Sequence, residues 1–269
     1  SAEPAMAAKL LQISNAAALN PNGNRITELR SAIARIGFAN VRTASLAYAM
    51  EQIKNAPALV PIRRPLNDLW ERSVKVAAMA FVVSRRWTKV NADQALLAGL
   101  MHGMGRVYIL TRAVKHPALF ADATAYQQIV RDWNTSIAKA VLESWEISPD
   151  IIEAVEHYED VGRAGSGAAD LTDVLTIANL LVSFHDDAAA LEMHLAQTAA
   201  TARLGLDAEA CRKALQETAS ELAGLRQALG GCPAPARGHA GPTVTNRIAR
   251  GRIPAGEPAG TPANLGLLV

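Results

Sequence analysis

The residues of this sequence best suited to chemistry lie in the short run Leu100–Gly105, where His102 is followed directly by Gly103. An adjacent His-Asp pair at the end of a helix can bind a divalent cation, because imidazole nitrogen and carboxylate oxygen are both metal ligands. Gly103 has no side chain, so the carboxylate half of such a pair is missing. The run therefore argues against metal-dependent hydrolysis at this corner of the chain.

Other polar or reactive residues have simpler interpretations. The run His185-Asp186-Asp187 is a His-Asp pair far from His102 in sequence, and we interpret it as a capped helix end. Cys211 has no nearby histidine and is predicted to be a small packing residue. A further acidic group is predicted to be a mostly solvated helix face: Glu153, Glu156, Glu159 and Asp160.

The composition favours packed helices and excludes several classes of protein. Hydrophobic residues make up 50% of the 269 residues and aromatic residues only 4%, whereas strands favour aromatic and β-branched side chains. The net charge of +2 is too small to indicate nucleic acid or an anionic membrane as a partner. Two cysteines do not make a disulfide framework, which favours a reducing cytoplasm. We expect neither a membrane span nor a signal peptide.

Hydrophobic residues recur at the helical period along the chain as far as about residue 231. The first stripe, from Ile26 to Ile36, is followed by Gly37, which predicts a helix end there. Pro149 is expected to open a helix, and Asp207 to cap the last one. Further helices are predicted at 66–87, 95–100, 107–114, 123–145 and 171–184. No segment of useful length alternates as a strand would.

The composition changes at Cys232, after which prolines alternate with glycines and alanines. Such a segment cannot bury enough apolar surface to offset the entropy lost on ordering. We therefore predict that residues 232–269 are a mildly basic tail or linker. Its apolar end, Leu265–Val269, is a candidate docking segment.

Two regions of the sequence resemble the HDOD family, the HD-related output domain of bacterial signalling proteins. The first is the leucine-rich run Ala8–Ala17 followed by Ile26–Gly37. The second is a degenerate HD core in four pieces: Leu69–Ser73, Gly99–Gly105, Trp145–Pro149 and Ala154–Tyr158. Together they cover most of the chain from Ala2 to about Ser183. The family's first helices have no counterpart before Ala2, so we expect a piece of a longer protein.

The resemblance implies which positions hold the metal ligands in catalytic relatives. His102 and His157 match histidine positions, but no ligand position retains a carboxylate. The remaining positions carry substitutions: Arg72, Gly103, Asn134, Tyr158 and Asn179. The guanidinium of Arg72 would also repel a cation. The resemblance therefore predicts loss of the metal, with no catalytic residue and no cofactor.

Without a metal, the resemblance implies a pocket between helices where five side chains converge: Arg72, His102, Asn134, His157 and Asn179. Two interpretations stay open. Arg72 can donate bidentately to a phosphate or carboxylate, so a small anionic ligand is one. The other is a closed polar core whose members bond one another. The closed core is the favoured interpretation, but a buried guanidinium needs a partner and none of the matched positions supplies an acid, so we also predict that the pocket attracts a phosphate-like or carboxylate-like anion.

We therefore expect an all-α protein, an HD-like helical bundle with a small N-terminal helical lobe. Residues 1–231 would form the HDOD-like domain, with the lobe boundary near residue 60, and residues 232–269 the tail. The expected function is that of a non-catalytic bacterial regulatory output module that binds a protein partner or a nucleotide. The alternative is a metal-dependent phosphohydrolase or phosphodiesterase with a rearranged site.

Overall fold

The computed structural model describes residues 4–16, 19–20, 23–165, 167–207, 209–211, 213 and 219–229. Within these ranges the chain is helical and contains no strand, which confirms the predicted all-α class. The predicted tail, residues 232–269, lies outside the described residues, as does its apolar end. None of the helices in the described ranges combines the length and apolar character that crossing a membrane requires.

The helices follow one another with short connections. In chain order they are α1 (Pro4–Ser14), α2 (Leu29–Asn55), α3 (Arg63–Trp87), α4 (Ala92–Met101), α5 (Met104–Ala113), α6 (Ala123–Ser144), α7 (Pro149–His157), α8 (Leu171–Ser183), α9 (Ala188–Ala196), α10 (Ala199–Leu204) and α11 (Ala219–Ala228). Short 3-10 helices at Pro57–Ile62 and Pro117–Phe120 precede α3 and α6.

Helix α3 is the centre of the bundle, packed between α4 and α8. Its apolar residues recur at the helical period, as the sequence predicts, and they are buried along its whole length. The crossing with α4 depends on Gly99, because a Cβ atom there would lie 2.5 Å from the Cα of Ala77. A glycine at this position lets the two backbones approach closely and sets the position of the corner that follows α4.

The His102 corner joins α4 to α5. Asn91 caps the start of α4 by accepting hydrogen bonds from the backbone N–H groups of the next turn, at 2.8 and 3.2 Å. The helix ends at His102 and Gly103, and α5 begins at Met104. Helix α5 then packs against α6 at Gly105, where a Cβ atom would lie 1.9 Å from the carbonyl oxygen of Asn134. The corner is thus held between two close helix contacts.

The N-terminal helices α1 and α2 pack on each other and on the rest of the bundle. Gly37 has a φ of 72°, so the predicted helix end is a kink, and α2 resumes and continues to Asn55. Asn40, just after the kink, donates to the Asp93 carboxylate of α4 at 2.8 Å. One hydrophobic core runs through this segment and through the later helices. The division into two lobes near residue 60 stays a prediction.

The segment after α8 contains two helices, α9 and α10, that the periodicity did not predict. Asp187 caps α9 through a hydrogen bond of 3.0 Å from the backbone N–H of Ala190. The exposed side chains of His185 and Asp186 lie 3.0 Å apart. The run 185–187 is therefore a capping segment, as interpreted from the sequence, although it caps the helix that follows it.

Candidate functional site

Arg72 lies on α3 and points toward α8. Its Nη2 donates to the Oδ1 of Asn179 at 2.7 Å and to the Oγ of Ser183 at 2.8 Å, so two predicted site residues are in direct contact. Burial lowers the pKa of Arg72, and the nearby guanidinium of Arg106 lowers it further. The positive charge is therefore held by neutral oxygen acceptors in a partly desolvated position.

His102 is buried at the corner between α4 and α5, with only 3% of its surface exposed. Its Nδ1 lies 2.7 Å from the carbonyl oxygen of Gly99, an acceptor, so the neutral ring carries its proton on Nδ1. The ring packs edge-to-face with that of Tyr158, the centroids 5.4 Å apart. Burial, followed by the charge of Arg72, lowers the pKa of His102 to about 3.

Gly103, beside His102, lies against α3. A Cβ atom at this position would be 2.7 Å from the Oγ of Ser73, which is itself buried. An aspartate side chain therefore cannot be accommodated here unless Ser73 rotates or the corner shifts. The space in which the side chain of an aspartate would begin is occupied by the hydroxyl of Ser73.

Glu159 is the centre of the polar cluster, and the sequence alone did not identify it. Its Oε1 accepts three hydrogen bonds: from the Tyr158 hydroxyl at 2.6 Å, from the Arg106 Nη2 at 2.9 Å and from the Asn134 Nδ2 at 3.2 Å. Glu159 is exposed, as the predicted acidic face requires, but one oxygen of its carboxylate is also bonded within the cluster. Tyr158 is also part of the cluster. Burial raises the pKa of its hydroxyl, which therefore stays protonated and can donate a hydrogen bond.

Glu159 also changes the electrostatic basis for expecting an anion. The matched positions supply no acid near Arg72, yet the charge of Glu159 acts on both Arg72 and Arg106. Burial alone would lower the pKa of Arg106, but Tyr158 and Glu159 raise it overall. The cluster thus has an internal counter-charge, and Arg72 does not require a bound anion for its balance.

His157 is the predicted site residue that lies elsewhere. Its side chain is 47% exposed, and its Nε2 is 3.8 Å from the carboxylate of Glu156 on the outer face of α7. The side chain that reaches His102 is that of Tyr158, one residue later. The expectation that all five residues converge is corrected in this respect: four join one cluster, and Tyr158 takes the place expected for His157.

The cluster does not fit a metal ion. Among the residues described, no group of three or more histidine, cysteine, aspartate or glutamate side chains is arranged to hold one. Glu159 already accepts hydrogen bonds from three donors, one of them a guanidinium, and His102 is the one imidazole among the cluster's described residues. Divalent cations need several convergent anionic or imidazole ligands, which this arrangement does not offer.

A cleft of about 300 Å³ opens beside the cluster, between the end of α7 and helices α8 and α9. Asn179 and Ser183, the two acceptors of Arg72, form part of its wall. The remaining lining residues are a mixture of polar and apolar side chains: Tyr158, Glu159, Val161, Thr176, Leu180, Phe184 and His194. Solvent therefore reaches this side of the cluster through a cleft that is lined by both polar and apolar side chains.

The buried neutral His102 predicts a specific loss of stability in acid. The unfolded chain binds a proton on this ring below pH about 6.5, whereas the folded protein does so only near pH 3, so stability falls as the pH drops through this window. The loss should be about 1.4 kcal/mol per pH unit well inside the window.

Urea unfolding measures this loss. The free energy of unfolding of His102→Asn, whose amide can still donate to Gly99, should depend less steeply on pH between pH 6 and 4 than that of the wild type. His185→Asn, at an exposed histidine, is the control. Equal slopes for His102→Asn and the wild type would contradict a buried neutral ring.

Comparison with known proteins places the chain in a family and a fold. The model of the HDOD domain matches residues 1–161, more than half of the chain. Among curated proteins, none matches the chain significantly. Three solved structures resemble it along most of both chains.

Two of these structures are from Shewanella amazonensis SB2B. The first, named "Putative metal-dependent phosphohydrolase", is 26% identical, with a TM-score of 0.65 over 83% of this chain and 81% of that chain. The second, named "Putative phosphohydrolase", is 17% identical, with a TM-score of 0.57 over 85% and 84%. The third, an HDOD domain protein with unknown function from Geobacter sulfurreducens, is 16% identical, with a TM-score of 0.56 over 84% and 82%. The HD-like fold expected from the sequence is confirmed.

Proposed function

Because the chain belongs to the HDOD domain family, we propose that it is a non-catalytic output module of bacterial signal transduction that acts in the cytoplasm by binding a protein partner. One observation carries the proposal. Two of the positions at which catalytic relatives would hold metal ligands, Asn134 and Tyr158, donate to Glu159, and two others, Arg72 and Asn179, bond to each other. A cluster of this kind stabilises one arrangement of helices and has no open coordination position for chemistry.

Three of the substituted positions make close contacts with neighbouring residues. The edge of the Tyr158 ring meets His102, Asn179 accepts from Arg72, and the space beside Gly103 is filled by Ser73. Two buried atoms of the cluster, the Oδ1 of Asn134 and the Nε of Arg106, have no hydrogen-bond partner among the described residues, which costs free energy. The interlocking of these substitutions supports a structural role for the former site, with function carried by the surface.

The alternative is a metal-dependent phosphohydrolase, and the name of the Shewanella relative at 26% identity favours it. An assay with bis(p-nitrophenyl) phosphate in the presence of iron, manganese or zinc separates the two functions. We expect no hydrolysis above the metal-only background. Turnover that depends on metal and is lost in His102→Asn would overturn the non-catalytic proposal.

A protein partner requires an exposed surface that can be desolvated, and Trp133 on α6 is the most exposed large hydrophobic residue among those described, at 57%. Tryptophan is enriched among residues that dominate binding energy at interfaces. We therefore expect Trp133→Ala to fold normally and to bind its partner at least about tenfold more weakly, as measured by quantitative mass spectrometry after affinity capture and then with the purified partner.

The matched control is Val60→Ala, at a hydrophobic residue that is 52% exposed and precedes α3. This variant should capture the partner at the wild-type level. If Trp133→Ala and Val60→Ala both retain the partner fully, the α6 face is not the interface. If the wild type captures no protein above an unrelated helical domain of similar charge, the partner-binding function itself fails.

A further inference from the structure

The cleft beside the polar cluster has the features of a small-molecule site. Its volume of about 300 Å³ lies at the lower end of the range for ligand pockets, which are mostly apolar with a few convergent polar groups. The apolar part consists of Leu180 together with Phe184 and His194, whose rings stack with centroids 4.2 Å apart and an angle of 21° between the planes. Paired rings and an aliphatic neighbour favour a flat ligand.

One polar group of the cleft is a hydrogen-bond acceptor. All three hydrogen bonds made by the Glu159 carboxylate use Oε1, and within the described part of the chain Oε2 accepts none. Glu159 lines the cleft and is 36% exposed, so this oxygen is available to a ligand. A carboxylate accepts hydrogen bonds and donates none when ionised, so it selects N–H or O–H groups.

A second polar group of the cleft is a donor. Arg72 carries only N–H groups, so the atom of Asn179 that it contacts at 2.7 Å must be the amide oxygen. This contact fixes the orientation of the amide and leaves Nδ2, which makes no hydrogen bond within the described residues, as a donor at the cleft wall. Arg72 therefore acts as a positioning residue for Asn179.

The charges of the cluster limit what the ligand can be. Arg72 and Arg106 outnumber Glu159, the one acid among these residues, so a ligand that adds a further positive charge is disfavoured. The donors offered to Glu159 must therefore belong to a neutral group. A bare phosphate is also a poor match, because it offers nothing to the carboxylate.

We infer that the cleft binds a flat 2-amino-4-oxopyrimidine ring, the hydrogen-bonding edge shared by guanine and pterins. The ring N–H and the exocyclic amine would both donate to the Oε2 of Glu159, the ring carbonyl would accept from Asn179, and the ring would lie beside the stacked pair of Phe184 and His194. Adenine presents a different order of donors and acceptors along its edge, so the same pair of side chains discriminates against it.

Isothermal titration calorimetry with guanosine, adenosine and pterin, in buffer containing EDTA, tests the inference on the whole chain. We expect guanosine or pterin to bind at least about tenfold more tightly than adenosine, since a donor that meets no acceptor is penalised. Guanosine binding without pterin binding would indicate a nucleoside ligand, and the reverse a pterin. If adenosine binds as well as both, or if none of the three binds, the inference is overturned.

Two variants assign the binding to this cleft. Glu159→Gln keeps an oxygen for the three internal donors but replaces the free oxygen by an amide, and Asn179→Asp keeps the contact with Arg72 but removes the donor. Each should weaken guanosine or pterin binding by at least about tenfold while the thermal unfolding curve stays cooperative. Glu143→Gln, at an exposed glutamate on α6, is the matched control and should bind normally. Wild-type binding by both cleft variants would overturn the assignment.

The inference goes beyond the proposed function and can fail separately from it. If the chain binds the ring but also hydrolyses phosphoesters, the inferred ligand is supported and the proposed non-catalytic function is contradicted. If the chain binds no such ring while capture of the partner still depends on Trp133, the proposed function is supported and the inferred ligand is contradicted.

Discussion

Replacing Asp173 by alanine should lower the free energy of unfolding by about 3–5 kcal/mol, the effect expected when one partner of a buried ion pair is removed. The side chain of Asp173 is 3% exposed, in the first turn of α8. It accepts from the Nη2 and Nε of Arg203 at 2.5 and 2.8 Å, with Arg163 at 3.5 Å. Removing the carboxylate leaves Arg203 without the acid to which it donates, while Arg163 keeps its closer ion pair with Asp170 at 2.7 Å.

Chemical unfolding followed by circular dichroism measures this effect. Asp173→Asn should also be strongly destabilised, because it keeps the size of the side chain but removes its charge. Asp186→Asn, at an aspartate that is 77% exposed, is the control and should change stability by less than about 0.5 kcal/mol. If Asp173→Ala is no less stable than this control, the charge cluster does not hold α8 against α10.

Replacing Gly105 by alanine should cost on the order of 3 kcal/mol, because the new methyl group would overlap the backbone of α6. Its carbon would lie 1.9 Å from the carbonyl oxygen of Asn134, which cannot move unless the helix moves. The displacement would also disturb the Asn134 side chain, a member of the Glu159 cluster. Thermal and urea unfolding would both show the loss.

The matched control is Gly162→Ala. A Cβ atom there would lie 3.7 Å from the nearest side-chain atom, and the position has no positive φ. Its stability should remain close to that of the wild type. A Gly105→Ala protein as stable as Gly162→Ala would mean that α5 and α6 do not approach each other as described.

The elements predicted best from the sequence are those whose hydrophobic residues face one continuous core. The predicted helix at 66–87 is α3, and the predicted helix at 171–184 is α8, because a buried stripe at helical period leaves few alternatives. Gly37 predicted a stop where the chain kinks, since α2 resumes once its second half can pack against α4. Local sequence shows that the backbone changes direction but not whether tertiary contacts rebuild the helix.

The candidate site was predictable only in part. The resemblance placed Arg72 and Asn179 correctly in contact, although they are 107 positions apart. It could not show that Tyr158 faces inward and His157 outward, since the two are adjacent at the end of α7 and the choice depends on how that helix packs. Glu159 was missed because its neighbours are solvated, and only its contacts with Arg106 and Asn134 distinguish it. The one local signal in the sequence is the aromatic residue Tyr158 directly before the acid Glu159.

The most direct test of the central claim, that the predicted ligand positions form a polar cluster that holds no metal, is the metal content of the whole chain. The protein would be purified without chelators from cells supplied with iron, manganese and zinc, and its metals quantified by elemental mass spectrometry. We expect well below about 0.1 equivalents of any of these metals per chain, because Glu159 already accepts three hydrogen bonds and the described residues contain no group of three histidine, cysteine or acidic side chains placed to hold a metal. About one or two equivalents of one metal per chain, lost in His102→Asn, would contradict the account.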